Sequence, residues 1–139
     1  MMRPARQHFT VAQANNTLPL VRRIVKDIIT LYPVWRDRVE AFAVYAANST
    51  ADQPDPQADA AAKEVQKLAA EIDGCLRELA DLGVEYKQPL DGGLVDFPGE
   101  IDGREVWLCW RYDEAAVEHW HELEAGFAGR RPLAPVRAN

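Results

Sequence analysis

Two cysteines with no Cys-x-x-Cys pair, and no His-Glu-x-x-His, leave this 139-residue chain without the spacing of a zinc ribbon, a dithiol redox motif or a metalloprotease helix. Cations are also in short supply. With 16 Lys and Arg against 22 Asp and Glu the net charge is −6, and a phosphate backbone needs clustered positive charge, so nucleic acid is not an expected partner. Long apolar runs are missing too. The longest, Ala41 to Ala47, falls far short of the ~20 residues that span a bilayer, so a membrane is not an expected partner either. Met1 to His8 is positively charged but has no apolar stretch behind it, and a cytosolic location is the expectation. Cys75 and Cys109 then read as free, buried thiols. Gly92-Gly93 and Gly126 to Gly129 lead into no Gly-Lys-Ser/Thr helix start and read as loops.

What is present suffices for a core, since a chain of this length buries roughly two thirds of the surface its unfolded form exposes. One domain over 1–139 is expected. Thr10 with Gln13 three residues on is a capping box and predicts a short helix. Thr17 offers a second cap, with Pro19 in the first turn of a long helix ending near Asn48. Val21, Ile24, Ile28, Leu31, Trp35, Val39, Phe42 and Tyr45 recur at steps of three and four, the signature of one helical face. Pro33 inside this run predicts a kink, because it removes a backbone hydrogen bond. Residues 49–55 are a polar linker, and Asp55-Pro56 is a strong helix start. The second long helix, 56–83, carries a stripe from Ala58 and Ala61 through Val65, Leu68, Ile72, Cys75 and Leu79 to Leu82, and Gly83 closes it.

Past Gly83 the period changes from helical to alternating. A strand is expected over 84–87, and Leu94–Ile101 and Arg104–Arg111 flank Asp102-Gly103, a type I′ hairpin signal. That turn sets Phe97 opposite Leu108, Asp96 opposite Cys109 and Val95 opposite Trp110. Val95, Phe97, Val106, Leu108 and Trp110 then face the helices, while Asp96, Pro98, Trp107, Cys109 and Arg111 share the other side. Residues 113–116 read as a turn, 117–123 as a further strand and 124–139 as loop and tail. The fold class is therefore α+β: a long antiparallel helical hairpin with a kinked first helix, and a small, mainly antiparallel sheet of three or four strands over 84–123.

The segments from Phe9 to Ile24, FTVAQANNTLPLVRRI, and from Gly93 to Leu133, with LVDFP, LCW, WH and GFAGR, resemble the bacterial domain-of-unknown-function family 2203. The resemblance extends over most of the chain outside the linker and the termini. It brings no enzyme class whose catalytic residues carry over. Members of that family usually have Gly-Glu at the second turn and an aromatic residue two positions before the His of WH. This chain has Asp113-Glu114 and His119 there, and the second departure weighs on any mechanism requiring His119.

The candidate chemistry centres on the His119-Trp120-His121 run, because residues two apart on a strand project from one side. If the turn before it sets the histidine parity, Asp96 and Cys109 join His119 or His121 in a row of ligands for a transition metal, or in a thiolate–imidazole pair with Cys109 as nucleophile and His121 as its base. If it sets the tryptophan parity, the row is structural and the histidines face the helices. We expect the second, since buried cysteine usually acts as a small apolar residue. Trp107, Trp110 and Trp120 offer walls for a cleft holding a flat ligand. Arg130 and Arg131, beside Glu114, Glu118 and Glu122, offer an anion site. The candidate ligand-binding residues are thus Asp96, Trp107, Cys109, Arg111, Glu114, Trp120 and Arg130. The first helix carries Val25, Ile29 and Tyr32 beside its main seam, more apolar surface than one partner helix needs. The expected function is accordingly a non-catalytic accessory or scaffolding homodimer joined through its hairpins. The alternative is a protein that binds a metal or small ligand, with or without catalysis, at Asp96, Cys109, Glu114 and His121.

Overall fold

Thr10 and Gln13 satisfy each other's backbone at the start of helix α1 (Val11–Ala47): the threonine hydroxyl accepts from Gln13 N–H at 3.0 Å, and Gln13 Oε1 accepts from Thr10 N–H at 2.9 Å. The structure is a computed structural model describing residues 8–134. No second helix start follows. Thr17 lies inside α1 and its hydroxyl donates to Gln13 O at 2.9 Å. The helix runs through Pro19 because Ala14, Leu18, Val21, Ile24, Val25 and Ile28 are all buried along it. Each large aliphatic among them contributes about 1.5–3 kcal/mol, enough together to outweigh the ~3 kcal/mol of an interior proline. It likewise continues through Pro33.

Asp55 caps helix α2 (Pro56–Asp81), its Oδ1 accepting from Gln57 N–H at 2.8 Å. Gly83, at φ +88°, turns the chain out of the helix. Ala58, Ala61, Ile72 and Leu79 are the buried residues of α2, packed on α1 in the expected antiparallel hairpin.

The sheet is a five-stranded antiparallel meander in chain order: β1 (Glu85–Tyr86), β2 (Leu94–Ile101), β3 (Arg104–Arg111), β4 (His119–Glu122) and β5 (Arg131–Pro132). At the β2–β3 turn Asp102 and Gly103 have φ of 52° and 79°, as a type I′ turn requires, and every expected pairing from Val95↔Trp110 to Ile101↔Arg104 is present. Val95, Phe97, Val106, Leu108 and Trp110 are buried in one core with α1 and Leu79 of α2.

Strands β1 and β4 are shorter than expected: β1 covers only Glu85–Tyr86 of 84–87, and β4 stops at Glu122, not 123. The fourth strand begins at His119 and not at 117. Val117 spends its backbone elsewhere: its N–H donates to Asn15 Oδ1 at 2.8 Å, and its carbonyl accepts from Asn15 Nδ2 at 3.3 Å. The tail adds a short 3-10 turn, Phe127–Gly129, and then β5, which lies against His119 and Trp120. Part of the surplus apolar surface that suggested a dimer is covered within the chain, while Leu20, Val34, Phe42 and Val44 of α1 are exposed. Val25 is fully buried, Ile29 packs against the core, and Tyr32 stacks on Trp35 with ring centroids 5.8 Å apart. No helix among the described residues is long and apolar enough to cross a membrane.

Gly93 ties the sheet to α1. Its φ is +68°, and a Cβ there would meet Tyr112 Cβ at 2.8 Å and Ile29 Cδ1 at 3.0 Å. Gly103 has a φ of +79° but open space around it. Chemical denaturation is expected to show Gly103→Ala costing about 1–2 kcal/mol from backbone strain alone. Gly93→Ala should cost about 1–3 kcal/mol more, through overpacking.

Candidate metal centre

The β3–β4 connection sets which side of the sheet the histidines occupy. Cys109 pairs with His119 and Trp107 with His121, so both histidines share the outer face with Asp96 and Cys109. The tryptophan parity expected from sequence does not occur. The connection is fixed from α1 by Asn15 on Val117, and by Arg22, which donates to the carbonyls of Tyr112, Glu114 and Ala115 at 3.4, 3.2 and 3.1 Å. Trp120 pairs with Leu108 and therefore lies on the helix side with Trp110, while Trp107 lies on the outer side. The three indoles line no common cleft.

Asp96 and His121 sit on the strands either side of β3, one row apart, and the twist of a sheet shortens one such diagonal. His121 Nε2 lies 3.0 Å from Asp96 Oδ2. With Cys109 Sγ these groups keep all three donor atoms within 4.8 Å of one another. The cluster is dry: Asp96, Cys109 and His121 are 1%, 0% and 3% exposed. Glu122 O lies 2.8 Å from His121 Nδ1, and a carbonyl only accepts, so Nδ1 carries a hydrogen and Nε2 is directed at the cluster. Asp96 Oδ1 is buried without a hydrogen-bond partner. Lys87 Nζ stands 4.0 Å from Asp96 Oδ2 and 5.9 Å from the centroid of the Trp107 ring.

Burial, and then the Asp96 charge, push the Cys109 thiol up to about 12, with the Arg130 charge opposing and the thiol's hydrogen bond to Asp96 adding to the rise. It is a thiol at neutral pH. A nucleophilic role would need the pKa moved the other way, whereas a metal can displace the proton itself. Both cysteines are free, as expected.

The remaining candidates form a second, adjoining group. His119 is level with Cys109, yet its Nδ1 lies 3.4 Å from Glu114 Oε2 and it stands outside the metal-sized cluster. Glu114 Oε1 accepts from Arg130 Nη2 at 2.6 Å and from Arg111 N–H at 2.7 Å. Arg130 Nη2 also donates to Cys109 O at 3.3 Å, and its guanidinium covers the Phe127 ring at 4.6 Å, with Arg111 at 5.1 Å from that ring. Arg111 itself is paired with Asp113 at 2.6 Å. Arg131 lies over Trp120, 5.5 Å from the ring centroid. Of the charges expected to form an anion site, Arg130 thus pairs with Glu114 and ties the 127–129 turn to β3, while Arg131 lies over Trp120.

Glu114 anchors this tie. Burial pushes its carboxyl up, but hydrogen bonds from Arg130 and from Arg111 N–H outweigh that and hold it below its ordinary 4.5. A depressed carboxyl stabilises the fold above its unfolded pKa and ceases to do so as pH falls through the folded value. Glu114→Gln should therefore destabilise by about 1–3 kcal/mol at neutral pH. Urea melts across pH should show the gap to the parent protein closing below about 4.5.

Lys87 and the Glu122 carbonyl are the site groups sequence reasoning missed. Lys87 has the same parity as Glu85, which pairs with Asp96, but a two-residue strand offers no register signal of its own.

Compared with known families, residues 7–133 match the model of one described as "Uncharacterized conserved protein (DUF2203)". No curated protein and no solved structure matches the chain.

Proposed function

The chain belongs to the DUF2203 family, and we propose that it binds one divalent transition ion of the zinc type through Asp96 Oδ, Cys109 Sγ and His121 Nε2. The observation that carries this reading is a buried carboxylate oxygen, Asp96 Oδ1, left without a partner inside a cluster of three donors. An unpaired polar atom in a dry interior costs about 1–3 kcal/mol, a cost an ion would remove. The donor types agree, since sulfur, imidazole and carboxylate are all zinc ligands. The dimensions agree as well. Tetrahedral zinc with bonds of about 2.0–2.3 Å separates its ligands by roughly 3.3–3.8 Å. Donors within 4.8 Å of one another are close to that spacing. His121 also has the support typical of a ligating imidazole, its other nitrogen being held by the Glu122 carbonyl.

Three protein donors leave one position of a tetrahedral ion for an outside ligand, the pattern of zinc sites that exchange ligands. Uptake displaces the Cys109 proton, so binding tightens as pH rises. The test is elemental analysis after chelator treatment, zinc loading and gel filtration. One zinc per chain, lost in Asp96→Asn and in His121→Gln, is the expected result. Absence of zinc in the parent protein, or full retention by both variants, overturns the proposal.

A further inference from the structure

Lys87 is the exposed member of the site, with 43% of its side chain open to solvent, while Asp96 and His121 beside it are nearly sealed. Its backbone is fixed. Lys87 N–H donates to Leu94 O at 2.9 Å, and the Tyr86 hydroxyl donates to Leu90 O and accepts from Gly93 N–H, closing the loop that follows. Only the side chain is left to move, and it rests between the Asp96 carboxylate and the face of Trp107.

We infer that Lys87 recognises the outside ligand of the bound ion, and that this ligand is a small monoanion such as a carboxylate or an inorganic anion of similar size. The inference rests on the metal reading above and adds the ligand class to it. A divalent ion bound by the Asp96 carboxylate, the Cys109 thiolate and neutral His121 makes a neutral unit. The ion then takes over Asp96 Oδ2 from its neighbours His121 and Lys87, and the half-exposed ammonium, 4.0 Å from that oxygen, is left to pair with an outside anion. A monoanion at the ion's fourth position restores neutrality and gives the ammonium a charge-assisted hydrogen bond. Size follows from burial: Asp96, Cys109 and His121 are 1%, 0% and 3% exposed, so an ion held by them sits in a nearly sealed place that suits a small ligand.

The experiment uses the full chain loaded with cobalt(II), whose visible bands report its ligands, titrated with azide and separately with acetate. The expected result is a saturable change in the visible bands of the parent protein. Lys87→Gln should load cobalt as fully but bind the anion at least about fivefold more weakly, the factor for unit charges about 4 Å apart in bulk water. Bands indifferent to both anions, or equal anion affinity in Lys87→Gln, overturn the inference while leaving the ion site standing. Failure of parent and variant alike to take up cobalt overturns the metal reading, and this inference with it.

Discussion

Cys109→Ser is expected to weaken zinc binding by more than about a hundredfold while the fold persists. Structural zinc sites with four ligands bind with about 10–16 kcal/mol, so losing the thiolate removes about 3 kcal/mol or more. Serine is close in size to the thiol it replaces and keeps a donor beside Asp96, so helix content and cooperative melting should be retained. Competition with a chromophoric chelator measures the affinity, and circular dichroism checks the fold. Cys75→Ser is the control. Cys75 is half-buried on α2, its thiol raised by burial and then by Asp27, Glu78 and Glu71, and it is no member of the cluster. Equal loss of affinity in both variants would show that cysteine chemistry in general, and not this cluster, holds the ion.

Trp110→Ala should have the largest effect on stability, about 3–5 kcal/mol, lowering Tm by on the order of 10–20 °C. Trp110 is fully buried, and its Nε1 donates to Glu114 O at 3.0 Å, while the Arg22 guanidinium stands 5.1 Å from the ring centroid. It therefore holds the connection that sets the parity of His119 and His121. Trp110→Phe keeps most of the buried area and loses the hydrogen bond, so it should cost less than the alanine variant. Thermal melts followed by circular dichroism measure both. An alanine variant within about 1 kcal/mol of the parent would contradict the placement of Trp110 at the centre of the core.

The hairpin over 94–111 was legible because two alternating runs meet at Asp102-Gly103, and a type I′ turn leaves one register. Asp96 opposite Cys109 followed from that turn alone. Parity beyond residue 112 was not legible, since Asn15 and Arg22, roughly a hundred positions away, determine it through side chains bonded to the connection's backbone. The same contacts explain α1. A proline and a good second cap read locally as a new helix start, but the face carrying Leu18, Val21 and Val25 is buried by a sheet whose position no local signal contains. Of two histidines with the right parity, sheet twist brings His121 to Asp96, while Glu114 faces His119. Strand β5 comprises two residues, too few for any period.

Zinc K-edge X-ray absorption on the loaded protein tests the central claim most directly. The account predicts a first shell of one sulfur at about 2.3 Å and three nitrogen or oxygen atoms at about 2.0–2.2 Å, with the outer-shell scattering of a single imidazole. A shell without sulfur, or one containing two imidazoles, would contradict it.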